Sequence, residues 1–125
     1  MNITNFSKLV GRLRMISDLR PNWDGYDATP PKQLVIVNAR KFLQALDNEN
    51  IYVDEENVYP TPYGSIIIDI VNDNEDCISI EIGHEEIGWY YEIENKIGPD
   101  NQLRTDFTKI PDKLIEDIEK LFEND

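Results

Sequence analysis

Apolar residues recur at three- and four-residue steps in three segments of the chain, and this spacing predicts three amphipathic helices. The first is expected between a cap at Thr4 and a stop at Pro21. The second is expected over residues 31–46 with Thr29 as its cap, and the third from near Pro111. The predicted apolar stripes are Phe6, Leu9, Val10, Leu13, Ile16 and Leu19; Val35, Ala39, Phe42, Leu43 and Leu46; and Leu114, Ile115, Ile118, Leu121 and Phe122.

From residue 51 the apolar period shortens to two, which predicts strands with one buried and one polar face. The predicted strands cover residues 58–62, 65–72, 77–83, 87–94 and 103–107. Residues 51–53 fit a short strand or a turn that packs on the sheet. The prolines of residues 58–62 confine that segment to an edge of the sheet or to a lead-in. We therefore expect one α+β domain over residues 1–125. Two N-terminal helices and a C-terminal helix would cover one face of an antiparallel meander of three to five strands.

The charge of the chain is strongly acidic and unevenly distributed. The formal net charge is −13, with a net of +4 on residues 1–46 and −17 on residues 47–125. An acidic surface repels nucleic acid and anionic lipid, and it attracts basic proteins over about a Debye length. The plain interpretation is a solubilising surface, and the functional one is a docking face for a basic protein. Direct binding to nucleic acid or membrane is not expected.

Two further features bear on the compartment. The first residues lack a basic segment followed by an apolar run, and no apolar stretch approaches the roughly 20 residues that span a bilayer. Cys77 is the single cysteine, which excludes an internal disulfide and a multi-cysteine zinc site. We expect Cys77 to be a buried, inert thiol and the protein to be cytoplasmic.

Candidate catalytic groups are few. His84, the single histidine, lies beside Glu85 in a predicted hairpin turn, where an exposed side chain is the plain expectation. Asp69, Glu81 and Glu92 could line up across three strands and raise one another's pKa values, as a glycosidase or a divalent-metal site requires. The acidic loop at residues 73–76 lacks EF-hand spacing, and the glycines form no phosphate-binding loop. We assign no catalytic residue, metal or cofactor.

The segment between the first two helices is unusually rich in aromatic and acidic residues for a helix connection. One interpretation packs Trp23 and Tyr26 under the helices, with Gly25 in a left-handed turn and Asp24 or Asp27 accepting loop amides. The other presents the two aromatic residues to a partner, because Trp and Tyr are favoured anchors of interfaces.

The segment Asn22-Trp23-Asp24-Gly25-Tyr26-Asp27-Ala28 resembles the N-W-D-G-Y-G-A-x-P motif of small bacterial and phage-borne proteins of uncharacterised function. A second block, from Pro60 to Ile70, resembles their later P-x-P-D-G-x-I-x-L-E-W motif. The chain departs from the motifs with Asp27 for glycine, Tyr63 for aspartate, Asp69 for glutamate and Ile70 for tryptophan. The resemblance covers about residues 20–95. It implies a bacterial or mobile-element origin and no established activity.

The function expected from these features is a small acidic protein that binds and regulates a basic protein, of the antitoxin, immunity or anti-defence kind. The candidate interface residues are Trp23, Asp24, Tyr26, Tyr63, Asp69, Glu81, Tyr90, Glu92 and Glu94. Two alternatives stay open. One is a carboxylate-dependent hydrolase or metal enzyme that uses the outer sheet face, and the other is a structural protein that associates with a second copy through a sheet edge.

Overall fold

The computed structural model describes residues 3–123, with side chains from residue 5 onward. The helices are α1 (Ile3–Ser17), α2 (Gln33–Asn48) and α3 (Asp112–Glu123), with a single 3₁₀ turn at Glu55–Asn57. The strands are β1 (Val58–Pro60), β2 (Ile66–Val71), β3 (Cys77–Ile82), β4 (Glu86–Ile93), β5 (Lys96–Ile97) and β6 (Asn101–Arg104). The predicted α+β fold, with two helices before the meander and one after it, is confirmed.

The strands form one antiparallel sheet in the order β1-β2-β3-β4-β5, and β6 also pairs with β4. β5 pairs with the end of β4 near Glu92, and β6 pairs with its beginning near Gly88. β1 lies at the edge of the sheet, as Pro60 predicts, because proline cannot donate a hydrogen bond to a second neighbour. β5 is a strand that the sequence pattern did not indicate, and β6 begins two residues before the predicted last strand.

The core lies between the helices and one face of the sheet. Alternate isoleucines of β2, β3 and β4 are almost fully buried there, and the register pairs Ile68 with Ile80 and Ile80 with Trp89. Each buried aliphatic side chain contributes roughly 1.5–3 kcal/mol. The Trp89 indole N–H donates to the Asp117 carboxylate at 2.9 Å, which fixes α3 to β4. Phe122, expected in the core, is 42% exposed because it lies at the last turn of α3.

Several predicted helix boundaries are wrong. Thr4 lies inside α1, and α1 ends at Ser17, four residues before Pro21. Thr29 does not cap α2. The helix begins at Gln33, and the side chain of its N-cap residue, Lys32, makes no capping hydrogen bond. The Thr29 amide donates instead to the Pro62 carbonyl at 2.8 Å, so tertiary pairing replaces the local cap.

Two smaller predictions are also decided by the structure. Of the two alternatives for residues 51–53, the strand does not form, and the burial of Val53 in the core agrees with a segment that packs on the sheet. Cys77 is half-buried rather than buried, because it lies on the face of the sheet that the helices leave uncovered. Burial, followed by the nearby Asp69, Glu92 and Asp76 carboxylates, raises the pKa of the Cys77 thiol, which fits the expected inert character.

Candidate functional site

The loop at residues 22–28 is closed by its own hydrogen bonds. The amide of Asn22 donates to the carbonyl of Ala28 at 2.8 Å. One carboxylate oxygen of Asp24 accepts the amides of Tyr26 and Ala28 at 2.8 and 3.2 Å. The prediction that an aspartate satisfies loop amides is therefore confirmed for Asp24, which holds the backbone of the loop through one of its two carboxylate oxygens.

The same loop contains three residues with left-handed backbone conformations. Asn22 has φ 65°, Gly25 has φ 79° and Asp27 has φ 66°. The left-handed turn predicted at Gly25 is confirmed, and the other two positions carry Asn and Asp, which adopt this conformation more readily than other residues with a side chain. The side-chain oxygen of Asn22 accepts the Asp27 amide at 2.7 Å. These hydrogen bonds hold the loop in its left-handed turns.

Tyr26 lies at the apex of this loop and is 88% exposed. The interpretation that packs Tyr26 under the helices is therefore wrong, although Ala28 of the same loop is buried in the core. Trp23 is half-buried, and its indole N–H has no hydrogen-bond partner within the described part of the chain. Trp23 therefore supports the base of the loop while Tyr26 projects from it.

A second tight loop, at residues 61–65, presents another tyrosine. The amide of Thr61 donates to the carbonyl of Ser65 at 3.0 Å, and the Thr61 hydroxyl accepts the amides of Tyr63 and Ser65 at 3.2 and 3.3 Å. Gly64 completes the turn with φ 89°. Tyr63 is 88% exposed. In both loops, therefore, a side-chain oxygen accepts backbone amides and closes a turn that carries one exposed tyrosine.

The fold joins these two loops. Thr29 and Tyr63 form a parallel β-bridge, and a side chain at Gly64 would meet Pro30 and Thr29 at 3.6–3.7 Å. Thr29 is three positions after Tyr26, so the Cα atoms of the two tyrosines lie within roughly 16 Å of each other. We call residues 22–31 and 61–65 the tyrosine platform.

The sheet surface beside the platform, which no helix covers, is called the open face. Here the Tyr59 hydroxyl donates to Asp69 at 2.8 Å, and the Ser79 hydroxyl donates to the other Asp69 oxygen at 2.7 Å. Burial, followed by the hydrogen bond to Asp69, raises the pKa of Tyr59 to about 12. Asp69 is thus an anchor of the open face with both oxygens engaged.

Hydrogen bonds of two hydroxyl groups connect the platform to the open face. The Ser65 hydroxyl donates to Glu81 at 2.6 Å, and it lies 2.7 Å from the Thr61 hydroxyl. Glu81 itself is exposed. Sequence patterns did not single out Thr61 or Ser65, because short hydroxyl residues in a proline-rich turn are common and their partners lie on another strand.

The three carboxylates considered for catalysis do not line up. The register places Asp69, Glu81 and Glu92 in three different cross-strand rows. Glu81 is opposite Gly88, and Glu92 lies four residues further along β4, about 13 Å away. Among the described residues, no three histidine, cysteine or acidic side chains are grouped so that they could hold a metal ion. His84 is exposed in the β3–β4 turn.

The remaining candidate residues spread toward the other end of the sheet. Tyr90 is opposite Ser79 in the middle of the open face. Glu92 is exposed at the far end of β4, and Glu94 lies in the following turn, where its amide donates to Asp76 at 3.1 Å. The fold therefore brings Tyr26, Tyr63 and Glu81 to one end, leaves Tyr90 at the centre, and separates the last two acids from the platform.

Comparisons with models of protein families, with curated proteins and with solved structures find no match to this chain. None of the helices in residues 3–123 combines the length and the apolar composition that a membrane crossing requires. The geometry of the platform and the open face therefore carries the argument about function.

Proposed function

We propose that this protein is a non-enzymatic binding module that docks on a basic protein through the tyrosine platform and thereby inhibits or regulates it. The observation that supports the proposal best is the pair of exposed tyrosines, Tyr26 and Tyr63, on two loops that are closed by their own hydrogen bonds and joined by a β-bridge. Tyrosines contribute little to a fold at 88% exposure, yet they supply large contact area at low entropic cost when they are held in place.

The backbone of the platform adds to this argument. Asn22 and Asp27 adopt left-handed conformations that Asn and Asp tolerate well. The side chains of Asn22 and Asp24 accept loop amides in this conformation, so the loop is closed before any partner binds. A pre-organised loop loses less entropy on binding, which raises affinity without additional contact area.

Charge supplies the chemistry of the partner. The net charge of −13 attracts a basic protein over long range, and the exposed acids Glu81 and Glu92 lie beside the aromatic residues of the open face. Interfaces that combine aromatic anchors with charged rims gain association rate and specificity from the charges. An antitoxin, an immunity protein or an anti-defence inhibitor would use its surface in this way.

The test is affinity capture from host lysate with matched variants. The Tyr26→Ala/Tyr63→Ala double variant should capture at least about 30-fold less partner than the unmodified protein, since hot-spot residues contribute about 2 kcal/mol or more. Tyr52→Ala is the matched control, because Tyr52 is 58% exposed and lies outside the platform. The captured protein should be basic and should elute as the salt concentration rises. Equal capture by both variants would contradict the proposal.

A second candidate function is self-association. β5 and β6 form an edge of the sheet where Ile97 is 72% exposed and Leu103 is also exposed. Exposed edges of this kind can pair with a second copy of the same chain. Light scattering that gives a dimer mass, reduced to a monomer mass by Ile97→Lys, would favour this candidate. A monomer mass for the unmodified protein would exclude it.

A further inference from the structure

Gly88 occupies the middle of β4, where glycine is unfavourable. A glycine inside a strand sacrifices both packing and conformational entropy, and it often marks a place where another group approaches the backbone. The backbone here does not require glycine, because its φ is not positive. A Cβ atom at this position would meet only the Asn101 carbonyl, at 3.4 Å, which is the limit of ordinary contact. The missing side chain therefore leaves a gap in the open face that the fold itself does not need.

Four side chains surround this gap. The register places Glu81 opposite Gly88 on one side and Gln102 opposite it on the other. Glu86 and Tyr90 are two residues away in each direction along β4, so they project from the same face. We call this arrangement the Gly88 notch. It lies within a depression of about 1110 Å³ on the open face.

The two carboxylates of the notch are positioned by neutral donors. Ser65 donates to Glu81 at 2.6 Å, and Gln102 donates to Glu86 at 2.5 Å. A carboxylate has about four acceptor positions, so each of these groups retains capacity for a further donor. Both side chains are exposed, and Tyr90 is 39% exposed beside them. The notch therefore offers two negative groups and one aromatic surface around a floor of bare backbone.

This combination is complementary to a guanidinium group. Arginine presents five N–H donors in a plane, forms paired hydrogen bonds with carboxylates and stacks on aromatic rings. A lysine ammonium would match the charge but not the planar stacking. The charge around the notch also favours a cation, because Glu81, Glu86 and Asp100 line the depression together with a single lysine, Lys32. Glu85 also lines the depression, but it already forms a salt bridge with Arg104 at 2.9 Å.

We infer that the Gly88 notch receives one arginine side chain of the basic partner protein. The inference rests on the proposed function and adds to it the side chain that is recognised. The tyrosine platform would supply apolar anchoring, and the notch, whose Glu81 accepts a hydrogen bond from Ser65 of the platform, would supply selectivity for arginine beside it.

The test uses two charge-matched tripeptides, acetyl-Gly-Arg-Gly-amide and acetyl-Gly-Lys-Gly-amide, titrated into the ¹⁵N-labelled full chain. The arginine peptide should bind about three- to tenfold more tightly, with the largest amide shifts at Gly88 and Tyr90. Gly88→Val should remove the localised shifts while the melting temperature stays equal or rises, since valine favours a strand. Glu81→Gln should weaken binding of the arginine peptide, whereas Glu119→Gln on α3 should leave it unchanged.

Three results would overturn the inference: equal affinity for both peptides, shifts centred away from Gly88, or unchanged binding to Gly88→Val. The partner capture separates this inference from the proposed function. If Gly88→Val retains the captured protein while the double tyrosine variant loses it, arginine recognition at the notch is refuted and the proposed binding function is retained. If the arginine peptide binds at Gly88 but no partner is captured, the proposed function is wrong and the notch stands as an arginine site.

Discussion

The rigidity of the tyrosine platform depends on Asp24, and its removal gives a direct measurement of that rigidity. Asp24→Ala deletes the acceptor of the Tyr26 amide at 2.8 Å and of the Ala28 amide at 3.2 Å. A hydrogen bond contributes about 0.5–1.5 kcal/mol net, and at this solvent-accessible loop water replaces part of each bond. We therefore expect the two together to contribute about 1–2 kcal/mol to the local opening free energy of the loop.

Hydrogen exchange followed by NMR is the appropriate assay, because it reports local opening residue by residue. An opening free energy lowered by 1–2 kcal/mol corresponds to about 5- to 30-fold faster exchange at the Tyr26 and Ala28 amides. The strand amides of β2 and β3 should exchange at unchanged rates, because those strands make no contact with the Asp24 carboxylate. Asp24→Asn keeps an acceptor oxygen without the charge, so its effect should be smaller.

Asp18→Ala is the matched control, since it removes an exposed aspartate of the same charge before the loop. The reasoning would be refuted if Asp24→Ala left the Tyr26 and Ala28 exchange rates within the range of this control. It would also be refuted by a uniform increase over the whole sheet, because the carboxylate would then stabilise the global fold rather than the loop. In either case Tyr26 could not be described as held in place by Asp24.

Two further predictions concern the ionisation of Tyr59 and the packing around two glycines. The pKa of Tyr59, about 12 in the folded state, exceeds the unfolded value of about 10, so the stabilisation by its neutral phenol is complete below pH 10 and is lost as the pH rises through 12. An absorbance titration should show one tyrosine that ionises after the others, and Tyr59→Phe should lack this last step. Asp69→Asn should lower the pKa of Tyr59 only partly, because burial is the larger cause of the raised pKa. An unchanged pKa of Tyr59 in Asp69→Asn would contradict the assignment. Gly98→Ala would place a Cβ against the Tyr91 ring, which would have to shift, and should destabilise the fold by about 1–3 kcal/mol in chemical denaturation. Gly11→Ala in α1 meets no atom within 4 Å and should instead stabilise by about 0.5–1 kcal/mol, and equal effects of the two changes would refute the packing argument.

The departure of the loop from the motif that it resembles has a physical counterpart. The motif carries glycine where this chain has Asp27, and Asp27 has φ 66°, a conformation that glycine adopts without strain. The resemblance itself stays a prediction, and at this position the backbone would accept the glycine of the motif as well as the aspartate of this chain.

Local chemistry determined a large part of the fold. Alternating Ile66, Ile68 and Ile70 could bury one face only as a strand, and Pro60 could occupy only an edge. The turn at Gly25 and the amide-accepting role of Asp24 also followed from residue type. These features depend on the conformational limits and the polarity of residues close together in the chain, which the sequence contains directly.

The tertiary structure decided the site. Thr29 had the chemistry of a helix cap, yet its amide pairs with Pro62, a residue 33 positions away. Tyr26 is a large aromatic residue of a type that often lies in the core, yet it is exposed, and the side chains of Asn22 and Asp24 close the loop beneath it. The separation of Asp69, Glu81 and Glu92 into different rows required the strand register. Such outcomes depend on which distant segments meet, and the free energy that selects those contacts comes from burial over the whole sheet rather than from neighbouring residues.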